Sequence, residues 1–349
     1  MTRIAAVRGA LPRHRYAQSE LTEAFVRGWG LAGGKRALLE RLHRNVGVDF
    51  RHLALPVPRY IEISGFREAN DAYVTEALEL GAEAAGAALA AAGTAPADVD
   101  LVLLTSTTGV AAPSLDARLV ERLGLRHDVK RLPLFGLGCA AGAAGLARVH
   151  DYLRGWPEHT ALLLSVELCS LTLQRDDLSI ANFVGSALFG DGAAAAVVRG
   201  AGRASGGPAV VATRSRFYPG TQHVMGWRVS EKGFQVMLDP GIPDLVRTHL
   251  ARDVDGFLSE HGLTAKDITG WVCHPGGPKV LEAITETLDL PSDALDVTWR
   301  SLAANGNLSS ASVLHVLRDT LARRPEPGAF GLLLALGPGF CAELVLLRW

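Results

Sequence analysis

Residues 133–150 read PLFGLGCAAGAAGLARVH, and the fold turns on how this stretch is read. The apolar run 132–137 predicts a short buried strand that stops at Gly138. From Cys139 the chain changes to alanine, glycine and leucine and ends on Arg148 and His150, which predicts a helix. A cysteine at a helix start faces amide N–H groups that lack an intrahelical partner, and the positive end of the dipole. Both lower a thiol pKa, and the thiolate is the nucleophile. Gly142 and Gly145 let such a helix pack closely, at a cost in helix propensity. Free cysteines are also common as small buried hydrophobes, so the stretch alone leaves both readings open.

A chain of 349 residues suggests two domains or one large duplicated one. With 48% hydrophobic and 20% charged residues it can bury a sizeable core. The formal net charge is -1 and there is no basic block, which argues against nucleic-acid or anionic-membrane partners. Cys139, Cys169, Cys273 and Cys341 lack metal-ligand spacing, and three sit in apolar runs, which predicts reduced thiols in a reducing compartment. Residues 1–16, MTRIAAVRGALPRHRY, hold no signal-peptide apolar region. No run approaches the ~18 apolar residues of a membrane span, so the chain reads as cytoplasmic.

Outward from Cys139, the pattern predicts a strand at 4–7, a helix at 19–29 and an arginine-rich segment at 35–51. There Arg41, Arg44 and Arg51 are spaced for a basic surface, either a solvated helix face or a landing site for a phosphorylated carrier. An alanine-rich helix spans 71–92 and ends at Gly93; a buried strand follows at 98–106. Ser114 precedes a helix at 115–123 that stops at Gly124. Beyond the Cys139 helix come a strand at 160–166, a helix at 182–189, a Gly190-Asp191-Gly192 turn and a strand at 193–198. The Gly/Ala-rich segment 200–208 is the best boundary, giving halves 1–204 and 205–349.

The second half repeats the first. Residues 267–273 match 98–104 in kind, and Asn307 follows Ile268 at nearly the interval by which Cys139 follows Val99. A helix at 309–323, strands at 330–336 and 342–347, and the Gly337-Pro338-Gly339 turn echo the chain from Cys139 to Val198. Buried strands alternating with helices predict sheets covered on both faces, and the duplication predicts a layered α/β/α/β/α sandwich.

His274 follows an apolar strand and precedes Pro275-Gly276-Gly277-Pro278, so its imidazole is displayed from a fixed position. Asn307 lies in Asn305-Gly306-Asn307-Leu308-Ser309-Ser310, just before a helix. Each has a bland reading, as a turn histidine and a helix-capping asparagine. Together with Cys139 they form a consistent site: a nucleophile, a group that can hold it as thiolate, and two donors for a thioester oxygen.

GCAAGAAGL around Cys139, LFGDGAAAAVV around Phe189, CHPGGPKVL around His274, NGNLSSASVL around Asn307 and ALGPGF near the end occur in this order. The set resembles the type III polyketide synthases, the chalcone-synthase-like enzymes, over about residues 3–347. Within that family VELCSLTLQRDDLSIANFVGSALFGDG, residues 166–192, looks most like the bacterial alkylresorcinol and alkylpyrone synthases. The resemblance implies a thiolase fold, a homodimer and a Cys139–His274–Asn307 triad. It further implies coenzyme A thioesters as substrates, with no metal or redox cofactor. Phe189 and Phe234 fall where two phenylalanines gate the pocket. Asn305 and Leu336 depart from the plant pattern at cavity positions, which bears on the product and not on the reaction class.

On this resemblance Cys139 takes an acyl group from acyl-CoA. His274 and Asn307 then stabilise the enolate left when malonyl-CoA loses carbon dioxide, and that enolate attacks the Cys139 thioester. Lys279 and Arg41 are candidates for the CoA phosphates. Thr107, Glu167 and Ser309 fall where aldol-forming members hold a water near the thioester. Cys169, Thr172 and Gly185 would line the inner cavity, with Ala111 and Ala112 on the loop beyond Gly109. These small side chains suggest a narrow apolar tunnel, hence a fatty acyl-CoA starter and an alkylresorcinol or alkylpyrone product. Three alternatives stand beside this reading: a tetrahydroxynaphthalene-type synthase using malonyl-CoA only, a β-ketoacyl-ACP synthase of the same fold, and a non-catalytic partner subunit. Cys139 and its intact triad argue against the last.

Overall fold

The computed structural model describes residues 1–349. Strand β1 (Arg3–Ala10) precedes a small hairpin of β2 (His14–Ala17) and β3 (Phe50–Leu53). Between the hairpin strands lie helices α1 (Gln18–Gly28) and α2 (Gly33–Asn45). Helices α3 (Val57–Glu62) and α4 (Phe66–Ala92) lead into β4 (Leu101–Thr105). There follow α5 (Leu115–Leu123), β5 (Lys130–Leu134), α6 (Ala141–Gly155), β6 (Thr160–Leu168), α7 (Ile180–Leu188) and β7 (Asp191–Arg199). Beyond residues 200–208 come β8 (Ala209–Phe217), the two-stranded ribbon β9 (Met225–Ser230) and β10 (Gly233–Leu238), and α8 (Ile242–Ser259). The chain closes with β11 (Ile268–Cys273), α9 (Pro278–Thr287), α10 (Asp296–Asn305), α11 (Ser310–Ala322), β12 (Phe330–Gly337) and β13 (Cys341–Arg348).

Nine strands are hydrogen-bonded in the order β11-β12-β13-β8-β1-β7-β6-β4-β5. The pairing repeats about the β1–β8 junction. On one side β4 is parallel to β6, β6 antiparallel to β7, and β7 antiparallel to β1. On the other, β11 is parallel to β12, β12 antiparallel to β13, and β13 antiparallel to β8. Helices α6 and α11, which follow Cys139 and Asn307, fill the space between the two half-sheets. Leu146 and Val149 of one and Val313 and Leu317 of the other pack with Leu103, Leu163, Leu333 and Val345. Helices α4 and α5 cover the outer face of β4, β6 and β7; α8 and α9 cover β11, β12 and β13. This is the duplicated α/β/α/β/α thiolase fold, and its doubly covered strands read as unbroken apolar runs for that reason.

Left-handed glycines end α4 at Gly93 (φ 57°) and α5 at Gly124 (φ 68°), as the sequence marks. Helix α4 starts at Phe66 rather than 71, because Glu68 turns back to accept the Ser64 N–H and secures an earlier first turn. Two expectations fail. The run 132–137 is not a buried strand: β5 covers Lys130–Leu134 at the sheet edge, leaving Leu132 and Phe135 38% and 56% exposed. An apolar run records affinity for cover and does not say which strand occupies the edge. Nor do the arginines form one basic face. Arg41 and Arg44 are exposed on α2, whereas the alternation of β3 turns Arg51 inward to 1% exposure. No helix is long and apolar enough to cross a membrane.

Helices α6 and α11 touch at Gly142. A Cβ there would run into the Ser310 carbonyl and lie 2.7 Å from Val313 Cγ1, neither of which can retreat from the central layer. Gly142→Ala is therefore expected to cost about 1–3 kcal/mol of stability, measured as a lower urea midpoint.

Candidate active site

Cys139 lies in a single 3₁₀ turn, residues Gly138–Ala140, that runs into α6. It is 8% exposed, and its sulfur is 3.8 Å from Ser309 Oγ. The helix start was expected to lower the thiol pKa. Burial outweighs it and pushes Cys139 up to about 12, against the opposing pull of hydrogen bonds to Ser309 and Asn307. His274 follows β11, with its backbone N–H on the Leu334 carbonyl (2.8 Å). It is buried, and neither ring nitrogen meets a protein hydrogen-bond partner. Burial drives it down to about 3, the direction that favours a neutral imidazole beside a protonated thiol.

The Asn307 loop is braced by residues 188–190. The Asn307 N–H donates to the Leu188 carbonyl (2.8 Å), and the Gly190 N–H donates to the Asn307 carbonyl (3.0 Å). Asn307 Oδ1 accepts the Ser309 N–H at 2.8 Å, which leaves the side-chain NH₂ to face Cys139. Ser309 is held at φ 48°, a costly conformation for a residue with a Cβ, and sits between the sulfur and Glu167. Glu167 is wholly buried at the end of β6. Its Oε2 accepts from the Thr107 N–H and the Thr108 hydroxyl (both 3.0 Å), and its Oε1 from Ser310 (2.6 Å) and Ser309 (3.3 Å). Burial raises its pKa to about 7 despite these donors.

A cavity of about 680 Å³ brings Cys139, His274 and Asn307 together with Thr107, Ser309, Cys169 and Phe189. The exposed Arg41 and Lys279 also border it, which fits the mouth, and so does Leu336. Five expected neighbours lie elsewhere. Phe234 is 4% exposed and packs its ring against Phe66 (5.4 Å) and Trp227 (6.0 Å). It borders a second cavity of about 510 Å³, as does Thr172. Gly185 faces Val236 and Phe189 from within α7, and Glu167 is sealed by its own donors. Asn305 is likewise off the lining.

The sequence reading missed the opposite wall. Met225, Trp227, Val236 and Leu238 of the β9–β10 ribbon line the cavity, and Trp227 Nε1 donates to Thr107 Oγ1 at 3.0 Å. The apolar alternation of 225–238 about Glu231-Lys232 was a usable hairpin signal.

Comparison with known proteins gives this cavity its context. The family description "chalcone and stilbene synthases, N-terminal domain" matches residues 2–202, and the C-terminal domain of the same family matches 209–349. The chain is 61% identical over 352 aligned residues to 1,3,6,8-tetrahydroxynaphthalene synthase of Streptomyces peucetius subsp. caesius, covering 100% of this chain and 93% of that one. It is 37% identical to a putative chalcone synthase of Bacillus subtilis over 88% of this chain and 87% of the relative. The crystal structure of 1,3,6,8-tetrahydroxynaphthalene synthase from Streptomyces coelicolor, a bacterial type III polyketide synthase, superposes with a TM-score of 0.95 at 33% identity over 99% of both chains. The 61% identity is to a tetrahydroxynaphthalene synthase, not to an alkylresorcinol synthase. The chain belongs to the chalcone and stilbene synthase family and is a type III polyketide synthase, an acyltransferase that builds its product by decarboxylative condensation.

Proposed function

We propose that this enzyme uses malonyl-CoA as both starter and extender and releases a tetrahydroxynaphthalene. The observation that carries the reading is the 61% identity, over the full chain, to a synthase of that product. The carbon count agrees: five decarboxylated malonyl units supply the ten carbons of a naphthalene. Of the small residues from which the fatty-acyl tunnel was argued, Cys169 lines the Cys139 cavity, whereas Thr172 and Gly185 lie off its lining and lend the tunnel no support.

In this reading the half 1–204 supplies the nucleophile and the half 205–349 the enolate donors. His274 takes the Cys139 proton as the sulfur attacks the malonyl thioester, a transfer suited to two groups that start neutral. His274 and Asn307 then donate to the enolate oxygen formed as carbon dioxide leaves the next malonyl-CoA. Arg41 and Lys279 hold the CoA phosphates at the mouth. Ser309 stands between the sulfur and Glu167, where its hydroxyl can pass a proton during ring closure. A homodimer is supported by the open edge of β5 with Leu132 and Phe135 uncovered.

Malonyl-CoA as sole substrate is expected to give one product of composition C₁₀H₈O₄ by mass, with one CoA and one carbon dioxide released per unit consumed. The proposal fails if nothing forms until an acyl-CoA starter is added and a ladder of fatty acyl-CoAs then yields alkylated products. Malonyl-ACP replacing malonyl-CoA as the better extender would overturn the assignment of the extender.

A further inference from the structure

We propose that Arg51 is a positioning residue for Asn307, acting through the Phe189 carbonyl. The inference rests on the role given to Asn307 above. Helix α7 ends at Leu188, so the carbonyls at its end must find partners outside the helix. The Ala187 carbonyl accepts from Gln18 Nε2 (2.8 Å), the Leu188 carbonyl from the Asn307 N–H (2.8 Å) and the Phe189 carbonyl from Arg51 Nη1 (3.0 Å). Arg51 Nε in turn donates to Gln18 Oε1 at 3.0 Å. Arg51 and Gln18 thus clamp residues 187–189 from the side of α1 and β3, and those residues clamp Asn307. Arg51 reaches the same loop a second way. Gly306, at φ 71°, packs on its methylenes, and a Cβ there would lie 3.2 Å from Arg51 Cγ and 2.7 Å from the Leu188 carbonyl.

A guanidinium is a costly way to fill a core, since its charge loses water. Arg51 is 1% exposed, Nη2 meets no protein acceptor, and burial lowers its pKa to about 10, at which it stays charged. Filling the space needs only an apolar side chain. Fixing one peptide needs a planar donor held from two sides, and Arg51 has that form. Small displacements of a reacting group are expensive: a misplacement of about 1 Å caused from a distance can cost about 10² in rate.

The test reads the two half-reactions separately. Loading of Cys139 is followed by intact mass in otherwise unaltered protein. Decarboxylation of malonyl-CoA to acetyl-CoA is followed in a Cys139→Ala background. Arg51→Ala is expected to leave loading within a few-fold and to lower the kcat of decarboxylation about 10²-fold with little change in KM. Arg51→Lys keeps the charge and one donor, so its loss is expected to be about tenfold. Because Arg51 borders the second cavity, methylguanidinium can reach the space it leaves. Methylguanidinium well below denaturing concentration is expected to restore decarboxylation in Arg51→Ala. Equal losses in both half-reactions, no loss, or no rescue in a folded variant overturns the proposal. Arg51→Lys decides it if Arg51→Ala does not fold, by whether decarboxylation falls more than loading. Asn307→Ala is the control: if it decarboxylates normally, the reading of Asn307 is wrong, a result distinct from an Arg51 failure.

Discussion

Cys139→Ala is expected to make no polyketide yet to keep releasing carbon dioxide from malonyl-CoA, while His274→Ala loses both activities. The geometry separates the two tasks. Cys139 enters the cavity from the turn before α6, whereas His274 comes from the end of β11 and Asn307 from the loop before α11. Only the sulfur can hold the acyl group, so its removal stops chain growth outright. The enolate oxygen needs only the donors, and removing one such donor typically costs about 10²–10³ in rate. In the proposed mechanism His274 also takes the thiol proton during the attack, since burial raises the Cys139 thiol to about 12 and so opposes a resting thiolate. Alkylation of Cys139 by iodoacetamide should therefore rise with pH through the alkaline range. A plateau reached already at acid pH would show a resting thiolate–imidazolium pair instead, and a Cys139→Ala protein that still makes polyketide would remove Cys139 from the mechanism.

Glu167 carries the second large effect, this time on stability. Four donors converge on a carboxyl with no exposure, and Glu167→Ala leaves them all without their acceptor. A loss of about 3–5 kcal/mol is expected, near the top of the range for single substitutions. The folded-state pKa of about 7 lies above the ordinary 4.5. Between those values the folded protein keeps a proton that the unfolded chain has released, so the contribution of Glu167 to stability falls as pH rises through that window. Asp191, raised by burial from 3.8 to about 6, acts in the same direction. His43, His274 and His315, which burial drives down to about 3, 3 and 4, act in the opposite direction over the same window, so the contribution of Glu167 is read as a difference: the urea midpoint of Glu167→Gln should gain on that of the unaltered protein from about pH 5 to about pH 7. An unchanged slope in Glu167→Gln would mean that Glu167 is ionised throughout, with its four donors outweighing burial.

Features under short-range control are legible in the chain itself. The glycines after 92 and 123 end their helices because no other residue takes a left-handed cap as cheaply. The order of the motifs around Cys139, His274 and Asn307, and the echo of the first half in the second, gave the layered fold and the reaction class. The remaining features depend on which distant segment covers a residue. Leu132 and Arg51 show it in opposite senses: the apolar residue lies bare at a sheet edge, and the arginine read as surface is enclosed by α1, α7 and the Asn307 loop. Phe189 and Phe234 look alike as pocket residues, yet Phe189, at the end of α7, borders the Cys139 cavity, while Phe234 on β10 packs into an aromatic cluster with Phe66 and Trp227. The charge states of Cys139 and His274 follow the same rule. A helix start acts through neighbours in sequence, whereas desolvation comes from every element packed around the site, and here burial outweighs the helix start.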